Sequence, residues 1–140
     1  MTHLPQKKAL ILLVEDDEID TEAVKRALQK EKISNTCISA CDGVEALDLL
    51  TGSNGRNKIQ QPCVILLDIN MPRMDGLQFL QEIRKNESTK QNVVFMLTTS
   101  SRDGDKTAAY NLQAAGYILK ENLGMLANVL SGYCQISELP

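Results

Sequence analysis

The chain predicts a doubly wound α/β domain: a five-stranded parallel sheet, order 2-1-3-4-5, with helices on both faces. Three observations carry this reading. Short apolar runs alternate with stretches whose apolar residues recur at helical spacing. Most of the runs are apolar throughout, as strands covered on both faces must be. Right-handed crossovers then leave few arrangements for five parallel strands, and 2-1-3-4-5 is a common one. At 140 residues, 43% of them apolar, the chain has the size and composition of one compact domain.

The elements follow in order. "ALILLV" (9–14) is the first strand, and Ile19, Ala23, Val24, Ala27 and Leu28 mark the buried stripe of the first helix. "TCISA" (36–40) is the second strand, and "DGVEALDLL" (42–50) is a helix opened by Asp42. A polar loop rich in Gly and Asn fills 51–61. Pro62 to Leu67 is the third strand, followed by a helix marked by Leu77, Leu80 and Ile83. "NVVFMLT" (92–98) is the fourth strand, a weaker helix covers Asp103 to Ala114, and "GYILK" (116–120) is the fifth strand. The last helix carries Leu123, Leu126, Ala127, Leu130, Tyr133 and Cys134 on one stripe, read as packing. Residues 1–7 and 135–140 read as tails, and no linker to an output domain is expected.

Composition narrows the function. The net charge of −3 and the lack of any basic cluster argue against direct nucleic-acid binding. No apolar run approaches the roughly 20 residues of a membrane span, and the N-terminus turns acidic where a signal peptide would be cleaved, so the default location is cytoplasmic. Cys37, Cys41, Cys63 and Cys134 form no CxxC pair and read as free thiols. The only histidine, His3, falls in the N-terminal tail, which removes Ser-His-Asp and Cys-His nucleophile systems.

In folds of this class the site lies beyond the carboxyl ends of the strands, at the switch point between strands 1 and 3. Glu15, Asp16 and Asp17 follow strand 1 there, Asp68 ends strand 3, Thr98 ends strand 4 and Lys120 ends strand 5. Carboxylates converging on one edge repel one another, and a divalent cation removes that cost. Oxygen ligands without His or Cys select a hard ion, Mg²⁺ or its substitute Mn²⁺. A metal able to hold a phosphoryl group, a carboxylate beside it, a hydroxyl and a cation are the parts that phosphoryl transfer to Asp68 requires. Asp17 read alone is a helix cap, and Asp75 with Gly76 reads as the turn and cap before the next helix.

"VEDD" (14–17), "LLDINMPRMDG" (66–76), "LTTS" (97–100) and "GYILK" (116–120), in this order, closely resemble the receiver domain of two-component response regulators over essentially the whole chain. The resemblance implies a flavodoxin-like receiver fold with Asp68 as phosphoacceptor. It implies Asp16 as a direct metal ligand, Glu15 as one through water, and the Asn70 carbonyl as a further ligand. Thr98 is the implied switch hydroxyl, Tyr117 the aromatic whose rotamer follows it, and Lys120 the contact to the phosphoryl group. Implied partners are a sensor histidine kinase and a downstream or phosphotransfer protein, reached by protein contact, with a homodimer through the fourth helix, fifth strand and fifth helix. Such a protein is no enzyme beyond accepting its phosphoryl group and removing it by self-dephosphorylation.

Two departures matter. The family's lysine is normally followed by proline, in a cis bond that helps to aim the lysine, but Lys120 precedes Glu121. A cis bond costs about 2.5–4 kcal/mol before a residue other than proline, so Lys120–Glu121 is expected to be trans with the following loop rearranged. The loop at 51–61 is also long. Both traits, with "LTTS", are similar to the phytochrome-associated single-domain regulators of bacteria, so a phytochrome is a candidate kinase. Two other classes stay open at this point. A haloacid-dehalogenase-type hydrolase also uses a strand-terminal Asp, but usually on the first strand with a second Asp two residues on, where this chain has Asn70. A flavodoxin or degenerate receiver would bind without turning phosphate over, but "EDDE" would repel a flavodoxin's phosphate, and Asp68 and Lys120 are both present.

Overall fold

The computed structural model describes residues 9–134; the expected tails, and His3 with them, lie outside the described residues. Five parallel strands, β1 (Ile11–Val14), β2 (Cys37–Ala40), β3 (Val64–Leu67), β4 (Val93–Thr98) and β5 (Gly116–Leu119), form one sheet in the order β2-β1-β3-β4-β5. Between and after them run α1 (Glu18–Lys30), α2 (Gly43–Thr51), α3 (Gly76–Lys85), α4 (Asp103–Asn111) and α5 (Leu123–Cys134), with a single 3-10 turn at Lys120–Asn122.

The period of two along each strand explains the two cores. Leu12, Val14, Ile65, Leu67 and Met96 point to one face, where they meet Ala46 and Leu50 of α2, Phe79, Leu80 and Ile83 of α3, and Ala109 of α4. Ile11, Leu13, Val64, Leu66, Phe95 and Leu97 point to the other, against Val24 and Leu28 of α1 and Leu126 and Leu130 of α5. Each fully buried aliphatic or aromatic side chain contributes about 1.5–3 kcal/mol relative to exposure, so β1 and β3, buried along their whole length, and β4, buried from Val94 onward, hold the centre of the sheet. Of the apolar stripe on α5, Leu126, Ala127 and Leu130 are buried and Leu123 packs at the edge; the side chains of Tyr133 and Cys134 lie outside the described ones.

Several strand and helix ends fall short of the sequence reading, for local reasons. β3 starts at Val64 rather than Pro62: proline has no N–H, and the Cys63 N–H donates at 2.7 Å to the Asn92 side chain instead of the sheet. α4 stops at Asn111, and Gln113, at φ 64°, turns the chain away in the left-handed region. The last turn of the chain before β5 is held by Arg84 of α3. Its guanidinium donates to the carbonyls of Lys90 (2.7 Å), Leu112 (2.8 Å), Asn92 (2.8 Å) and Gln113 (3.1 Å), joining the end of α3 to the end of α4.

Candidate functional site

Three loops at the carboxyl edge of the sheet build the site. Pairing of Val14 with Leu67 sets β1 and β3 in register, so the next residue of each, Glu15 and Asp68, emerge side by side. The following turn is fixed by Asp17, which caps α1 by accepting from the N–H groups of Ile19 (2.8 Å) and Asp20 (3.2 Å), as the sequence predicts. The Asp17 N–H in turn donates to Glu15 Oε1 at 3.1 Å. The loop after Asp68 is closed by Asp75 and Gln78, which form a reciprocal capping box at the start of α3. Gly76 lies directly under Asp68: its N–H donates to the Ile69 carbonyl at 2.8 Å, and a Cβ there would collide with the Asp68 carbonyl oxygen.

The result is a convergent set of charges. One carboxylate oxygen each from Glu15, Asp16 and Asp68 lies within 4.8 Å of the others; Glu15 and Asp68 are buried and Asp16 is exposed. Lys120 Nζ enters from the end of β5, at 2.6 Å from Glu15 Oε2, 2.7 Å from Asp20 Oδ2 and 3.3 Å from Asp68 Oδ2. Lys120 has left the strand and opens the 3-10 turn; the one cis bond among the described residues is Gln61–Pro62, so Lys120–Glu121 is trans. An all-oxygen donor set of three carboxylates at a partly open rim fits a hard divalent ion.

Burial and charge act in opposite directions on the two central groups. Burial pushes the Glu15 carboxyl up from 4.5 to about 7, despite its bond to Lys120, with the charge of Asp68 adding to the rise. Burial pulls the Lys120 ammonium down, but its bonds to Asp20 and Glu15 and the charge of Asp68 outweigh this and the net shift is upward. The sign for Glu15 gives a measurable consequence. Below about pH 4.5 the carboxyl is protonated whether the chain is folded or not. Between about 4.5 and 7 the folded protein keeps a proton that the unfolded chain has released, so metal-free protein loses stability as pH rises through that window, by about 2–3 kcal/mol. Thermal unfolding of Glu15→Gln should lack this fall; a wild-type-minus-variant difference that is flat between pH 4.5 and 7 would contradict the account.

Thr98, fully buried at the end of β4, accepts from the Ser100 N–H at 3.2 Å. Tyr117, half-buried on β5, donates its hydroxyl to the Ser100 carbonyl at 2.8 Å, and Ser100 Oγ donates to Asp105 of α4 at 2.6 Å. Ser100 therefore links the strand-end hydroxyl, the tyrosine and the fourth helix. Asn70 stands exposed two residues beyond Asp68. Two participants escape a reading of the sequence, Asp20 and Ser100. Asp20 lies in the first turn of α1 within a run of acids, and nothing local sets it apart from them.

The fold and this edge define a phosphoacceptor of two-component signalling: residues 11–130 match the response regulator receiver domain, and the chain belongs to that family. The chain is 36% identical over 124 residues to response regulator Rcp1 of Synechocystis sp., an alignment covering 88% of this chain and 84% of that protein. The Mn²⁺-bound form of Rcp1 superposes with a TM-score of 0.83 at 32% identity, over 94% of this chain and 99% of that one. A two-component response regulator from Legionella pneumophila gives 0.81 at 38% identity, over 91% and 98%. The phosphorylated cyanobacterial phytochrome response regulator RcpA gives 0.77 at 32% identity, over 90% of each chain. The likeness therefore extends to the phytochrome-associated regulators, and membership of the receiver family supports the phosphoacceptor over a haloacid-dehalogenase-type hydrolase or a flavodoxin. No helix among the described residues is long and apolar enough to cross a membrane.

Proposed function

We propose that Asp68 is the residue that accepts the phosphoryl group and that, with Glu15, Asp16 and the Asn70 carbonyl, it holds Mg²⁺, for which Mn²⁺ can be exchanged. One observation carries this reading: the Asp68 carboxylate shares a 4.8 Å cluster with Glu15 and Asp16 and lies 3.3 Å from the Lys120 ammonium. A carboxylate oxygen of Asp68 attacks phosphorus in line. The P–O bond to Asp68 forms as the bond from phosphorus to the donor breaks, and the donor atom keeps the electron pair. Lys120 neutralises an equatorial oxygen, and the bound cation would supply further charge neutralisation there. In the ordinary case the donor is a phosphohistidine of a sensor kinase, and the likeness to RcpA supports a phytochrome in that role.

The phosphoryl group, with a charge of about −1.5 to −2, replaces the single carboxylate charge at Asp68 and its oxygens attract the Thr98 hydroxyl. Thr98 then releases the Ser100 N–H, Tyr117 follows into the vacated space, and the face of α4, β5 and α5 repacks. That face passes the signal to a downstream or phosphotransfer protein in the cytoplasm and pairs two copies of the chain; light scattering that reads a monomer before and after phosphorylation would remove the pairing. Hydrolysis of the acyl phosphate by water, without another protein, returns the switch to rest.

Intact mass after incubation with acetyl phosphate and Mg²⁺ tests the central claim: one phosphoryl group should be gained, and an unchanged mass would refute it. The metal assignment has its own test. Asp16→Ala should weaken Mg²⁺ or Mn²⁺ binding by tenfold or more on the order of typical ligand loss. Asp17→Ala should leave affinity nearly intact while costing about 1 kcal/mol of stability through the lost cap. Equal losses of affinity by titration would show the wrong carboxylate has been chosen.

A further inference from the structure

Lys120 meets three carboxylates, and one of them has no part in the site proposed above. Asp20 lies outside the trio whose oxygens converge within 4.8 Å, yet its Oδ2 is 2.7 Å from Lys120 Nζ, closer than Asp68 at 3.3 Å. Lysine is a point charge on a flexible four-carbon stem, so something must fix where the ammonium sits. The backbone does little of this: β5 ends at Leu119, and the 3-10 turn that Lys120 opens has no side-chain cap. Side chains do it instead. Glu15 holds the ammonium from the end of β1 and Asp20 holds it from the first turn of α1, where its own N–H is tied to Asp17.

We propose that Asp20 is a positioning residue for Lys120, holding the ammonium at the mouth of the site while Glu15 and Asp68 are engaged by a cation or a phosphoryl group. The inference rests on the reading of Asp68 as phosphoacceptor and Lys120 as its counter-charge. Asp20 stands on the helix side of Lys120, and its side chain is the most exposed of the three partners, 37% against 2% for Glu15 and 6% for Asp68. It is therefore the anchor least involved in the convergent trio, and it stays available when the trio is filled. Asparagine at this position keeps an acceptor oxygen and loses the charge, whereas alanine loses both.

The test uses the full chain with acetyl phosphate and Mg²⁺, read by intact mass. Asp20→Ala should accept the phosphoryl group about five-fold more slowly, and Asp20→Asn should fall between it and the wild type. Mg²⁺ affinity should stay within about two-fold, because Asp20 is not in the metal trio. In a Lys120→Ala background, adding Asp20→Ala should change nothing, which a merely structural role would not produce. A second arm needs no phosphorylation: the ¹⁵Nζ resonance of Lys120 should move in Asp20→Ala and stay in place in Glu22→Ala, a charge-matched change elsewhere on α1. Wild-type labelling by Asp20→Ala, slowing that persists without Lys120, or an unmoved Lys120 resonance would each overturn the proposal. If wild-type protein took up no phosphoryl group, the phosphoacceptor reading would fall, and the resonance would still decide whether Asp20 positions the lysine.

Discussion

Asp68→Ala is expected to gain no phosphoryl mass from acetyl phosphate under conditions that label the wild type, and to unfold at a higher temperature. The first effect is total because the variant lacks the attacking oxygen, and Glu15, the other member of the trio on Lys120, has its two oxygens engaged by Lys120 at 2.6 Å and the Asp17 N–H at 3.1 Å. The second follows from the charges. Glu15 and Asp68 are both buried and the charge of Asp68 pushes the Glu15 carboxyl up, so removing the Asp68 carboxylate relieves a repulsion of about 1 kcal/mol. Lys120 keeps its two shorter partners, Glu15 and Asp20, and is not left unpaired. For a chain of this size the gain corresponds to a rise of a few °C in midpoint. Undiminished labelling would dismiss Asp68 as acceptor; a lowered midpoint would show that its pairing with Lys120 outweighs the repulsion.

Gly76→Ala is expected to cost the most stability of any single methyl addition near the site. The obstacle is backbone, since the new Cβ would overlap the Asp68 carbonyl oxygen and press on Ile69 Cα, and neither can rotate away as a side chain could. Either the β3–α3 loop shifts or α3 lifts from Phe79 and Leu80, both fully buried. Overpacking of this kind costs about 1–3 kcal/mol where neighbours can yield, so a loss of about 3 kcal/mol or more is expected here, roughly 10 °C in midpoint. Because the displaced atoms belong to Asp68 itself, labelling should also fall by an order of magnitude. A variant that melts within about 2 °C of the wild type would show the loop to be softer than its packing implies.

Much of this is legible in the amino-acid sequence alone. The uniformly apolar β1, β3 and β4 could be read as doubly covered strands, and from that the strand order and the edge bearing Glu15, Asp16, Asp68, Thr98 and Lys120 followed. Asp17 and Asp75 were readable as caps because capping depends on the adjacent residues alone. What escaped depends on distant partners. The truncated start of β3 is set by Asn92, 29 residues away from Cys63. Asp20 meets Lys120 across 100 residues, and one of the five acids in residues 15–20 carries no mark of that. Ser100 stands within "LTTS", but only the placement of Tyr117 and Asp105 makes it a link between β4, β5 and α4.

The four carbonyls gathered by Arg84 decide how α4 can move. Its far end, through Leu112 and Gln113, is pinned to the end of α3 by a rigid planar fork with little slack. Its near end has no side-chain cap and hangs on Ser100 and on the Arg102–Asp105 pair at the surface, while only Ala109 of the helix is buried. A displacement begun at Ser100 therefore swings the helix as a lever about a fixed pivot. If the proposed switch displaces Ser100, the travel should be greatest near Asp103 and smallest near Leu112, so a partner that senses the switch would gain most by gripping the hinge-distant tip.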